Sequence, residues 1–134
     1  MIKAFKQEAN NYNEIRIFNL ETGEFNSYFQ DKNIGYTFTD YKTTVYEMGY
    51  KSVNDCMKEL KHRKYLGVEI DYKEQRESEK LGWIKLGIER IKRAKRVNTS
   101  DFEDVIKKLS IYGLGYCDAQ NMIITCYEHE LINI

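Results

Sequence analysis

The 134-residue chain has no proline, one tryptophan and two histidines, and its 21 basic side chains are cancelled by 21 acidic ones. Each scarcity removes a class of protein. Zero net charge excludes histone-like bulk binding to polyanions and an acidic tail protein. No apolar run approaches the ~20 residues that span a bilayer, so no membrane partner is expected. The opening residues, Met1-Ile2-Lys3-Ala4-Phe5-Lys6-Gln7-Glu8, lack a long apolar stretch and a small-residue cleavage site, and the expected location is the cytoplasm. Cys56, Cys117 and Cys126 are odd in number, which agrees with reduced thiols.

Nucleotide-binding signatures are missing as well. There is no GxGxxG and no GxxxxGK[ST]; Gly113-Leu114-Gly115 follows a helical pattern rather than a strand and reads as a turn between helices. Zinc needs four ligands, usually in close pairs. Among Cys56, His62, Cys117, Cys126 and His129 the only close pair is Cys126-x-x-His129, so core thiols and surface histidines explain these residues and no metal or cofactor is expected.

What is present points to a packed domain. Hydrophobic residues make up 42% and aromatics 13%, enough for a core. Phe, Tyr, Met, Ile, Asn and Lys number 60, against 18 for Gly, Ala, Arg and Pro, which is the composition of an AT-rich genome. A low-GC bacterium or one of its phages or mobile elements fits that ratio, with the bacterial or host cytoplasm as the corresponding location. Part of the tyrosine and lysine excess is then codon bias.

Alternation organises the first half. Residues 14–20 and 24–29 flank Glu21-Thr22-Gly23, with Ile15 and Ile17 on one face and Phe18 and Leu20 on the other. This predicts a β-hairpin whose glycine supplies the positive φ. The first ten residues read as a lead-in or a short helix. Tyr36-Thr37-Phe38-Thr39 reads as a strand. The next ten residues fit a helix capped by Asp40, with Tyr41, Val45 and Met48 on one face and Gly49 as its stop, in preference to a second hairpin. Ser52 caps a further helix carrying Val53, Cys56, Met57 and Leu60 and ending in Lys58, Lys61, His62, Arg63 and Lys64, where cations suit the carbonyl end. Leu66, Val68 and Ile70 alternate in a strand over 65–72.

From Lys73 the character changes. The charged run KEQRESEK marks a boundary or linker helix, dividing a β-rich half, 1–72, from a helical half, 73–134, in one domain or two packed subdomains. Leu81, Ile84, Ile88 and Ile91 form an amphipathic stripe. Gly82 and Gly87 interrupt it, as a break between shorter helices or a close helix crossing. Ser100-Asp101-Phe102-Glu103 is a capping box ahead of Val105, Ile106 and Leu109. A last helix from Asp118 carries Ala119, Ile123, Cys126 and Leu131, and with Met122, Ile124 and Tyr127 it is apolar almost all round. The fold class is α+β, an N-terminal antiparallel hairpin or small sheet with one or two helices followed by a bundle of about three.

Function is read from surfaces. Lys85, Arg90, Lys92, Arg93, Lys95 and Arg96 face one acid, Glu89, between residues 85 and 96, with Trp83 at the start of that segment. Such a helix can track phosphates, dock an acidic protein, or pair with residues 101–134, whose net charge is −4. Tyrosines crowd the first half, and tyrosine is enriched at interfaces. The leading expectation is a non-enzymatic protein that regulates or inhibits a protein or nucleoprotein partner, using Trp83, Lys85, Arg90, Lys92, Arg93 and Arg96 with Tyr36, Tyr46 and Tyr50. The apolar helix 118–132 predicts a homodimer. One alternative is a nucleic-acid-binding regulator using helix 84–96 or a helix-turn-helix over 40–64. Another is a small hydrolase or nuclease using His129 or the Glu69/Asp71 pair, with no supporting motif.

Overall fold

Apolar alternation and a left-handed glycine build the first hairpin as the sequence predicts. Strand β2 (Tyr12–Asn19) and strand β3 (Glu24–Asp31) pair antiparallel across a turn in which Gly23 takes φ +78°. The computed structural model describes residues 1–32 and 37–132. Around the hairpin it adds β1 (Ile2–Glu8), β4 (Thr37–Thr44) and the short β5 (Val68–Ile70), giving a five-stranded antiparallel sheet in the order β4-β3-β2-β1-β5. Helix α1 (Val53–His62) lies between β4 and β5 in the chain; α2 (Tyr72–Ala94), α3 (Glu103–Leu109) and α4 (Tyr116–Ile132) follow. The fold is α+β. Two compact units divide inside α2, Met1–Arg76 and Glu77–Ile134.

In the first unit the strand period of two assigns residues to faces. Phe18 and Phe25 pair across the hairpin and pack with Val45, Val53, Cys56 and Leu66, with Met57 and Leu60 of α1 against them. The opposite face holds Ala4, Ile15, Ile17 and Tyr28, with Ile70 and Tyr72 packed on. Ser52 caps α1, its hydroxyl accepting from the Asp55 amide at 3.1 Å. Burial pushes the Cys56 thiol up to about 11, so it stays protonated as a core residue.

Four local expectations are corrected here. The first residues form β1 rather than a lead-in, because pairing with β2 and β5 on both sides outweighs their polar composition. Residues 40–44 continue β4 instead of starting a helix: Ser27↔Tyr41, Asn26↔Lys42, Phe25↔Thr43 and Glu24↔Thr44 are in register, and four threonines suit a strand. Gly49, at φ +98°, belongs to the turn that follows. The helix-turn-helix over 40–64 therefore lacks its first helix. Strand 65–72 shrinks to three residues, since Gly67 at φ +76° kinks the chain, sending Leu66 into the core and leaving Val68 exposed.

Helix α2 takes in the charged run from Lys73, and in the second unit it runs unbroken through Gly82 and Gly87. Gly87 marks a close crossing, where a Cβ would lie 3.0 Å from the side chain of Ile123 on α4. The capping box gives way to Asn98, whose side-chain Oδ1 accepts from the Ser100 amide at 3.1 Å and caps a 3-10 turn over Thr99–Asp101; α3 begins two residues later. Phe102, Val105, Ile106, Leu109, Ala119 and Ile123 are buried as the helical stripes require.

Candidate functional site

On the α1 side of the sheet, three neighbouring strand positions are polar. Glu14 and Arg16 of β2 and Ser27 of β3 continue the face that Phe18 and Phe25 begin. Arg16 Nη2 meets Glu14 Oε2 at 2.9 Å, Ser27 Oγ donates to Glu14 Oε1 at 3.0 Å, and Arg16 Nη1 donates to Gln7 Oε1 at 2.8 Å and to the Tyr65 carbonyl. Gln7 Nε2 in turn donates to the Lys64 carbonyl at 2.9 Å. The last turn of α1 is thereby tied to the sheet. That turn is a Schellman motif, with Tyr65 N donating to Leu60 O and Lys64 N to Lys61 O.

Above this network lies a half-open groove of about 350 Å³, walled by Phe25, Phe29, Tyr41, Met48 and Leu60 and floored by Glu14, Arg16 and Ser27. Tyr41 stands on the edge strand and is 58% exposed. Phe29 is braced by an edge-to-face contact with Tyr12 at 4.9 Å between ring centres. Apolar walls around a few fixed polar groups are the common composition of a ligand site. The polar groups are held by neighbours, so little rotamer entropy remains to be lost when something binds.

The sequence-predicted residues do not converge on this groove. Trp83 is buried, because Trp83 and Gly87 widen the apolar stripe of α2 beyond Ile84, Ile88 and Ile91; it is no surface anchor. Tyr46 is exposed and its ring lies over Gly23, while Tyr50 packs against the core beside Val45 and Val53. Tyr36 lies outside the described residues. The groove is not legible in the sequence: Tyr41 and Met48 read as part of one helix face and Leu60 as part of another, and their meeting with Glu14 and Arg16 depends on strand register.

Half of the six cations between Lys85 and Arg96 are paired within the second unit. Arg90 forms a two-pronged pair with Asp104 at 3.1 and 3.2 Å, and Arg96 forms one with Asp101 at 3.0 and 3.1 Å. Lys92 Nζ meets Glu130 Oε2 at 2.7 Å. The Arg96 guanidinium holds the Asp101 carboxyl below its usual value, and the carboxylate holds Arg96 above its own. Lys85, Arg93 and Lys95 stay exposed with no ion pair among the described residues. Each unit is itself neutral, with twelve basic and twelve acidic side chains in the first and nine of each in the second.

The candidate catalytic groups have structural surroundings. Asp71 accepts from the amides of Lys73 and Glu74 at 2.9 and 3.2 Å and so caps α2, while Glu69 remains on β5. His129 is exposed near the end of α4. Among the described residues no group of three or more His, Cys, Asp or Glu could hold a metal ion, and no helix is long and apolar enough to cross a membrane. No family model, curated protein or solved structure matches the chain.

Proposed function

We propose that this chain is a non-enzymatic binding protein that takes up a segment of a partner protein in the groove of its first unit and thereby regulates or inhibits that partner. The groove carries this reading: five apolar side chains around a Glu14–Arg16 pair whose geometry is set by Ser27, Gln7 and the Tyr65 carbonyl. Its volume of about 350 Å³ matches one or two anchor side chains of a peptide. Internal pairing of Arg90, Lys92 and Arg96 supports a protein segment over nucleic acid, since three of the six cations of residues 85–96 already have carboxylate partners. The AT-rich composition fits an accessory protein of a phage or mobile element, with host proteins as the pool of partners. Self-association through α4 is a separate proposal, supported by the half-buried Met122, Ile124, Cys126 and Tyr127.

Selection of a displayed random-peptide library against the full chain tests the groove. Enriched peptides are expected to bind Tyr41→Ala plus Met48→Ala at least tenfold more weakly than wild type, and to bind Lys85→Ala plus Arg93→Ala unchanged. Equal binding to the groove variant would overturn the proposal.

A further inference from the structure

We propose that a second copy of this chain pairs with it edge to edge through β4, antiparallel about a two-fold axis at Tyr41, so that the two sheets become continuous. Main-chain geometry and charge carry this, whether or not the groove takes up a peptide. Strand β4 has a neighbour on one side only, and Tyr41 and Lys42 are exposed there. The Val45 amide donates to the Gly23 carbonyl at 2.8 Å, and Gly23 and Val45 continue the register in which Glu24 faces Thr44. Bonded and non-bonded pairs alternate along an antiparallel ladder. Thr43 and Tyr41 therefore turn their main-chain groups to β3, whereas Thr44, Lys42 and Asp40 turn theirs to the open edge. The Thr44 carbonyl is already engaged by the Met48 amide at 3.2 Å. Lys42 and Asp40 are left as the recognition positions of the edge.

Charge selects the occupant and its register. Only outward-facing residues can exchange bonds across the junction, so the axis falls at Asp40, Tyr41, Lys42 or Thr43. At Lys42 it would set two ammonium groups against each other, and at Asp40 two carboxylates; like charges directly opposite destabilise a ladder. At Thr43, Lys42 would face Thr44, whose carbonyl is spent. At Tyr41, Lys42 of each copy stands opposite Asp40 of the other, and each such pair exchanges both main-chain bonds. Lys42 has no ion pair among the described residues that would have to break first. Glu24 and Glu47 line a polar recess with it. Glu24 lies on β3, one strand spacing of about 4.8 Å further from the edge, and Glu47 accepts the Thr43 hydroxyl at 3.0 Å. Beyond Asp40 the ladder stops, because Thr39 is an extra residue between the positions facing Tyr28 and Phe29. The junction is short and closed on itself, and it makes dimers rather than fibres. An axis perpendicular to the sheet keeps both grooves on one face, and the Tyr41 wall of each meets that of the other.

Sedimentation velocity of the full chain, from about 1 to 300 μM at about 0.15 M salt, tests the pairing. A monomer–dimer equilibrium is expected in the ~10–100 μM range, the affinity of a small interface. Lys42→Asp alone and Asp40→Lys alone are each expected to weaken it about fivefold or more. The double variant, Asp40→Lys plus Lys42→Asp, is expected to regain wild-type association within about twofold, and a mixture of the two single variants to associate more tightly than either alone. Circular dichroism verifies the fold of each variant. Tyr41→Cys in a Cys117→Ser background is expected to form a 41-to-41 disulfide on oxidation, since a non-bonded pair holds its Cα atoms ~4.5 Å apart. A monomeric mass at every concentration, absence of that link, or a folded double variant as weak as the single reversals would overturn the proposal. A dimer indifferent to every strand variant would move the contact to another surface, such as α4, and overturn it equally.

Discussion

At Gly67 the backbone takes φ +76°, and a Cβ there would strike the carbonyl of Lys6 on β1. Neither the turn nor the approach of β5 to β1 tolerates a side chain. Gly67→Ala is expected to cost more than about 2 kcal/mol, the sum of left-handed strain and a backbone clash; urea unfolding measures it, and a loss under about 0.5 kcal/mol would contradict the close approach. Asp101 offers a second residue-scale test. Its folded carboxyl titrates below the usual 3.8 because of the Arg96 hydrogen bond, so its contribution is complete above that value and is lost as pH falls through the lowered one. The stability difference between wild type and Asp101→Asn should stay constant from pH 5 to 7 and shrink below about pH 4. A difference that grew in acid would reverse the assigned sign. Residue chemistry was partly visible in sequence. Ser52 as a cap and Gly23 as a turn residue follow from local rules, whereas Trp83 beside a basic run reads as a surface anchor and is buried because the apolar stripe of α2 is wider than its isoleucines.

Elements were legible where a single period dominates. The β2–β3 hairpin, α1 and the stripe of α2 each repeat one spacing, and each formed where that spacing placed it, except that Leu81 at the head of the stripe is exposed while Ile84, Ile88 and Ile91 are buried. Residues 40–48 failed because Tyr41, Val45 and Met48 reach one side of the sheet in two ways, as a helix face or as a strand followed by a turn. Pairing with β3 decided between them, and such pairing is not written in local spacing. Strand β1 was missed for the same reason. At this scale the α2–α4 crossing makes a prediction. Ile123 is fully buried against Gly87, so Gly87→Leu is expected to lose about 1–3 kcal/mol by overpacking. Trp83, one turn away and the only tryptophan, reports unfolding by fluorescence. Stability equal to wild type would show that the crossing has slack.

Over the whole molecule, neutrality has two layers. Each compact unit balances its own charges, and within the second the basic end of α2 is matched to carboxylates on the 3-10 turn, α3 and α4. Sequence showed both halves of that match as charge runs and left open whether they met. The groove was the least legible feature, since its floor and walls come from β2, β3, β4, α1 and the turn at Met48. Its use in binding is the central claim. Two-dimensional amide NMR of the labelled chain, titrated with a peptide enriched by library selection, tests that claim most directly. Shifts are expected at Ser27, Phe29, Tyr41, Met48 and Leu60. Shifts confined to residues 85–95, with those five amides unmoved, would contradict it.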